Sequence, residues 1–154
     1  MMLKNIYKSL LAVCLLCANT VSANQPNVEE QVLAAFKSLV EASRNLDSHA
    51  YFQHFDHNKF VGLNSDGTNW NSIDDLKPLI EGGFGSIASV NQLVFTNVRV
   101  SVIDTYTAIL VNEYQQSVTL KSGDLVHLAG GGTQVWSKRS GQWKLVSVSG
   151  SNKP

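Results

Sequence analysis

From Val90 onward the chain consists almost entirely of stretches rich in Val, Thr, Ile, Phe and Tyr, broken by short polar turns, and that texture confines the back half to β-structure. Strands are expected over residues 92–103, 106–120, 125–138 and 142–149. Lys121-Ser122-Gly123-Asp124 supplies one turn and Ser140-Gly141 the last hairpin. The second of these strands alternates Tyr106, Ala108, Leu110, Asn112, Tyr114, Gln116 and Val118 against Thr107, Ile109, Val111, Glu113, Gln115 and Ser117, and neither set is cleanly polar. A sheet apolar on both sides needs cover on both sides, from helices on one face and a second copy of the chain on the other. A homodimer formed through the sheet is therefore expected. Gly130-Gly131-Gly132 inside the third strand reads as a bulge or a sharp curl; a phosphate-binding loop would need a helix after it, and none is expected there.

The front half carries the covering helices. Val28, Val32, Leu33, Phe36, Leu39, Val40 and Leu46 recur at three- and four-residue intervals, with Glu29 and Glu30 early and Arg44 late, as an amphipathic helix and its dipole require. Asp47-Ser48 reads as the N-cap of a shorter helix ending near His57-Asn58. Residues 59–63 and 68–70 make two short strands across the Asn64-Ser65-Asp66-Gly67 turn, and Ser72 with Asp75 opens a third helix that Gly82-Gly83 and Gly85 are expected to end. Helices first and antiparallel sheet afterwards makes an α+β domain.

The N-terminus reads as a secretory signal. Lys4 and Lys8 precede an apolar run from Leu10 to Ala18, and Val21-Ser22-Ala23 offers the small residues that signal peptidase reads, so cleavage is expected after Ala23. The run is shorter than the roughly 20 apolar residues that span a bilayer. Cys14 and Cys17 fall inside it, behind Val13 and Leu16, where a lipoprotein would need a small residue. The expected product is a periplasmic or secreted chain of residues 24–154, a single domain without cysteine, free of the membrane, holding neither a disulfide nor a thiolate metal site. Removing Lys4 and Lys8 leaves ten basic residues against twelve acidic ones. With no basic run to track phosphates, nucleic-acid binding is excluded.

The helix pair, Phe55-Asp56 before the first short strand, Asp66-Gly67 with Trp70, and the closing hairpin from Gly132-Thr133-Gln134-Val135-Trp136 to Gly141-Gln142-Trp143-Lys144 resemble the NTF2-like superfamily, in its SnoaL-like, DUF4440-type branch. The resemblance implies a cone, in which a strongly curved antiparallel sheet wraps about three N-terminal helices around a pocket, commonly as a homodimer. Enzymes of that superfamily, such as ketosteroid isomerase and the polyketide cyclases, carry an acidic base near the first strand. Here the corresponding Phe60-Val61-Gly62-Leu63 has no carboxylate, and the last strand, Ser147-Val148-Ser149-Gly150-Ser151, lacks the histidine found in many SnoaL-like chains.

A small-molecule ligand, with no cofactor and no catalysis, is thus the first expectation, bound in an apolar pocket lined by Tyr51, Phe55, Trp70, Asn112, Tyr114, His127, Gln134 and Trp136. The rival is an isomerase, cyclase or hydrolase using His127 with Tyr51 or Asp56 as acid–base groups; a third reading is an interaction module with a filled pocket. Trp143 is expected in core or interface packing. His49, His54 and His57 surround the second helix, but His49 and His54 lie five residues and about 500 degrees apart, which favours solvated side chains over a metal site.

Overall fold

The computed structural model describes residues 26–153. The expected signal segment and its cleavage point at Ala23 lie outside the described residues. Three helices precede most of a six-stranded sheet: α1 (Val28–Arg44), α2 (Ser48–Phe52), β1 (Val61–Leu63), β2 (Asn69–Trp70), α3 (Ile73–Ser86), β3 (Ile87–Asp104), β4 (Thr107–Leu120), β5 (Leu125–Ser137) and β6 (Lys144–Asn152). Among the described residues no helix is long and apolar enough to cross a membrane.

Local chemistry accounts for the helix starts. Asn27 caps α1 by accepting from the Glu30 amide at 2.9 Å, while the Glu30 carboxylate accepts from the Asn27 amide at 2.9 Å, a reciprocal box that satisfies two otherwise orphaned donors. Asp47 accepts from the Ala50 amide to start α2, and Ser72 from the Asp74 amide to start α3. Between α1 and α2 the chain turns through Leu46, at φ 54°. The Leu46 amide bonds the Ser43 carbonyl and the Asp47 amide the Ala42 carbonyl, the hydrogen-bond pair of a Schellman ending.

Three boundaries differ most from the sequence expectation, and the last strand is also displaced, running over Lys144–Asn152 instead of 142–149. Helix α2 stops at Phe52 rather than near His57, because residues 54–56 leave the helix to pair with the last strand. The Leu145 amide donates to the His54 carbonyl at 2.7 Å and the Asp56 amide to the Leu145 carbonyl at 3.0 Å. Helix α3 runs through Gly82, Gly83 and Gly85 instead of ending at them. Those glycines face open space, and Phe84 between them packs on Tyr51 with ring centroids 5.6 Å apart; tertiary packing outweighs the modest helix penalty of glycine. Strand β3 consequently begins at Ile87, straight out of the helix, with Ile87 paired to Leu120.

The sheet order is β2-β1-β6-β5-β4-β3, and it is mixed rather than wholly antiparallel. Val61 pairs with Ser147 and Leu63 with Ser149 in parallel, while the other four strand pairs are antiparallel. Four register irregularities interrupt the β3–β4 ladder, bending and blunting the long edge strand. Opposed residues of paired strands share a face, so Leu93, Phe95, Val98 and Val100 of β3 lie with Gln116, Tyr114, Asn112 and Leu110 of β4, and these with Leu128, Gly130, Gly132 and Gln134 of β5, with Trp136 next along opposite Ala108. That set forms the concave face. One core joins it to the helices through Val32, Phe36 and Leu39 of α1, Phe52 and Phe55 around α2, Leu76 of α3, and Leu110, Trp136 and Leu145 of the sheet.

Candidate ligand cavity

Between α1, the end of α2, the C-terminal half of α3 and the concave face lies a cavity of about 340 Å³. Ligand sites begin near this size. Its helix side is apolar, formed by Phe36, Leu39, Leu46, Tyr51, Ile80 and Phe84, and its sheet side adds Leu93 and Phe95. The polar groups sit mainly on the sheet floor: Asn112, Tyr114 and Gln116 along β4 and Gln134 on β5. Among the described residues no Asp, Glu, His, Lys or Arg lines it.

The amides are held with different degrees of freedom. Gln134 is 9% exposed and accepts from the Trp136 indole through its Oε1 at 3.0 Å. An indole N–H donates only, so this bond fixes which end of the amide faces Trp136 and leaves the NH₂ as the outward group. Asn112 is 6% exposed. No fully enclosed side-chain nitrogen or oxygen among the described residues lacks a partner, so the amide of Asn112, for which the side-chain hydrogen bonds show no partner, meets the open space of the cavity. Gly132 stands opposite it on β5 and keeps that space clear. Tyr51 hangs from α2 between Phe52, Phe55 and Phe84. Burial pushes its phenol up to about 12, so at neutral pH it is a hydroxyl and never a phenolate.

Four of the eight residues expected to line the pocket do so: Tyr51, Asn112, Tyr114 and Gln134. The other four are corrected by the structure. Phe55 and Trp136 are core residues, 2% and 0% exposed, sealed beneath the cavity floor and helices. Trp70 covers Gly62 on the far side of the sheet order, beside a shallow groove formed with β1 and β6. His127 pairs with Ser117 on the opposite face from Gln116 and is exposed. The acid–base grouping of His127, Tyr51 and Asp56 is likewise not assembled: Asp56 has its backbone bound to Leu145 and accepts from the Asn58 amide at 3.1 Å, away from the cavity lining. The interaction-module expectation of a filled pocket also gives way to an open one.

The expected packing of Trp143 is seen. It is 9% exposed, and its indole donates to Gln31. His57 bonds the Phe52 carbonyl at 3.0 Å, and among the described residues no three His, Cys, Asp or Glu side chains stand close enough to hold a metal. Sequence reasoning missed Leu46, Phe84, Leu93 and Phe95. The last two carried a signal, because period-two spacing along β3 places them on one face.

Comparison with known proteins agrees with this geometry. No functionally curated protein matches the sequence. Among solved structures, an NTF2-like superfamily protein from Salmonella enterica serovar Typhimurium superposes with a TM-score of 0.72 at 14% identity, over 82% of this chain and 91% of that one. A ketosteroid isomerase-like protein from Erwinia carotovora atroseptica gives 0.68 at 16% identity, over 80% and 95%. The association domain of C. elegans CaMKII gives 0.64 at 17% identity, over 80% and 94%. These likenesses establish the NTF2-like, cystatin-like fold. The family model described as the SnoaL-like domain matches residues 32–153, and the chain belongs to that family.

Proposed function

We propose that this is an exported binding protein that takes a small apolar or amphipathic molecule into the cavity without transforming it. One observation carries the reading: the cavity has the volume and apolar lining of a ligand site, and its titratable side chains are the two phenols Tyr51 and Tyr114. General acid–base chemistry near pH 7 draws on groups whose pKa lies close to that pH, and a phenol held at about 12 is far from it. The export half of the proposal rests on Lys4, Lys8, the apolar run and Val21-Ser22-Ala23.

Mass spectrometry of the protein purified from its own host tests both halves. Under native conditions the protein is expected to carry a small molecule that is lost on denaturation, and the denatured mass is expected to correspond to a chain beginning at Asn24. A consistently empty protein under gentle conditions counts against binding; a mass retaining residues 1–23 counts against export.

The chain is further proposed to dimerise through the convex face, where Val94 and Val111 remain 42% and 47% exposed on the side away from the helices. Val111→Lys is expected to convert a dimer to a monomer in light scattering while ligand binding persists, since the substitution lies on the face opposite the cavity. A monomeric wild type would refute the proposal.

A further inference from the structure

Along the outer flank of α1 runs a second depression, between Ala34, Ala35 and Ser38 on the helix and Lys138, Trp143 and Lys144 on the closing hairpin. It shares no lining residue with the ligand cavity. We infer that this groove docks an acidic peptide segment, which lies along α1 and sets its carboxylates against the Lys138 and Lys144 ammonium groups.

Both lysines are short of anions. Lys138 donates to the Gln31 side-chain oxygen at 2.8 Å and Lys144 to the Gln53 carbonyl, neutral acceptors in each case, and among the described residues neither ammonium forms an ion pair. Residues 1–25 contain no Asp or Glu that could supply one. Among the described residues the carboxylate on the groove is Glu30, and it is engaged with the Asn27 amide in the α1 cap. His54, at the same groove, is held below its ordinary value by burial first and by the Lys144 ammonium second, so at pH 7 its ring is neutral and adds no third charge. A carboxylate brought to the lysines supplies charge-assisted hydrogen bonds, roughly twice as strong as neutral ones.

The shape favours a chain segment over a free ion. From Glu30 to Ser38 the helix side extends about 12 Å, the span of about four residues of extended peptide. Its middle is Ala34 and Ala35, whose short side chains let a backbone lie close. A free anion would gain only water-accessible lysine contacts, each worth about 0–1 kcal/mol. A peptide joins two such contacts and adds apolar contact on the alanines, and its second carboxylate binds at the effective concentration set by the first.

The test is fluorescence anisotropy of the purified protein at pH 7 with a fluorescein-labelled hexapeptide of alternating alanine and glutamate and with its alanine–glutamine counterpart. The acidic peptide is expected to bind at least about tenfold more tightly than the neutral one at low salt, and to lose about tenfold by about 0.3 M salt as the charges are screened. Ala34→Glu places a carboxylate in the groove at an exposed position of α1, with a good helix former and both lysines intact; it is expected to abolish binding at an unchanged melting temperature. Lys138→Gln and Lys144→Gln are each expected to weaken binding about fivefold, the range of a partly screened ion pair. No binding of the acidic peptide, equal binding of the two peptides, or wild-type affinity in Ala34→Glu overturns the proposal. So does acetate that competes as well as the unlabelled peptide at equal carboxylate concentration, which reduces the site to diffuse charge. Protein that ignores the peptide but sediments with phosphatidylglycerol vesicles until Ala34→Glu is introduced overturns it in favour of a membrane, and a smaller assembly of Ala34→Glu in light scattering overturns it in favour of a second copy of the chain.

Discussion

Trp136→Ala is expected to destabilise the domain by about 3–5 kcal/mol, the range for truncating a fully buried aromatic side chain. Trp136 is 0% exposed and heads the fully enclosed side chains of the core, where it faces Ala108 on one side and Leu145 on the other. With domains of this size typically stable by about 5–15 kcal/mol, the loss removes a large share of the folding free energy. Urea denaturation followed by circular dichroism measures it. A loss below about 1.5 kcal/mol would show that neighbouring side chains collapse into the space, and that the tryptophan is not the keystone its burial suggests. Trp136→Phe separates the two things the residue does. The phenyl ring keeps most of the apolar volume, but the Gln134 oxygen loses its indole donor, and an unsatisfied buried acceptor costs about 1–3 kcal/mol. The freed amide can then turn over, which changes the end that Gln134 shows to the cavity. Core stability and the polarity of the cavity floor are thus coupled through a single hydrogen bond.

The same region shows what the sequence made legible. The alternation along β4 was enough to put Asn112, Tyr114 and Gln116 on the helix-facing side, and the register bears that out. Identical logic should have separated His127 from Gln134 and Trp136: it stands at an odd position and they at even ones, and the β4–β5 ladder has no bulge between them. A histidine's chemistry argues for a place among them, and its period argues against it. Phe84 was concealed for a different reason. Flanked by Gly83 and Gly85, it looked like part of a helix stop, and only the contact with Tyr51, which joins residues far apart in sequence, shows why the helix continues. Long-range pairing also hid the parallel β1–β6 junction, since three residues, Val61–Leu63, carry too little pattern to declare a direction. Strand existence came from composition, face from period, and cavity membership from contacts that neither encodes.

Two glycines on the concave face of the sheet are expected to respond to alanine with opposite signs. A methyl group at Gly130 would stand 2.4 Å from the Ser151 carbonyl oxygen and 2.9 Å from the Tyr114 hydroxyl. The oxygen is backbone in the adjoining strand, so relief requires the β5–β6 ladder to part around the Gly130–Asn152 pair. Overpacking of this kind typically costs about 1–3 kcal/mol, and a backbone obstacle places Gly130→Ala at the upper end. Gly150 pairs with Gly132 on the same concave face, and a methyl there meets nothing within 4 Å. Its backbone is not in the left-handed region. Gly150→Ala is therefore expected to stabilise by about 0.4–1 kcal/mol through reduced freedom of the unfolded chain, while its methyl takes up room in the cavity that Gly150 lines. Urea midpoints of the two variants test the stability difference, and calorimetry with 2-acetylnaphthalene, an uncharged probe that matches the apolar lining, tests the room. Gly150→Ala should unfold later than wild type yet bind more weakly. Gly130→Ala should unfold earlier and, with Tyr114 displaced, bind more weakly as well. If Gly130→Ala is neutral, the glycines are not what lets Tyr114 lie against the sheet, and the shape of the cavity floor must have another origin.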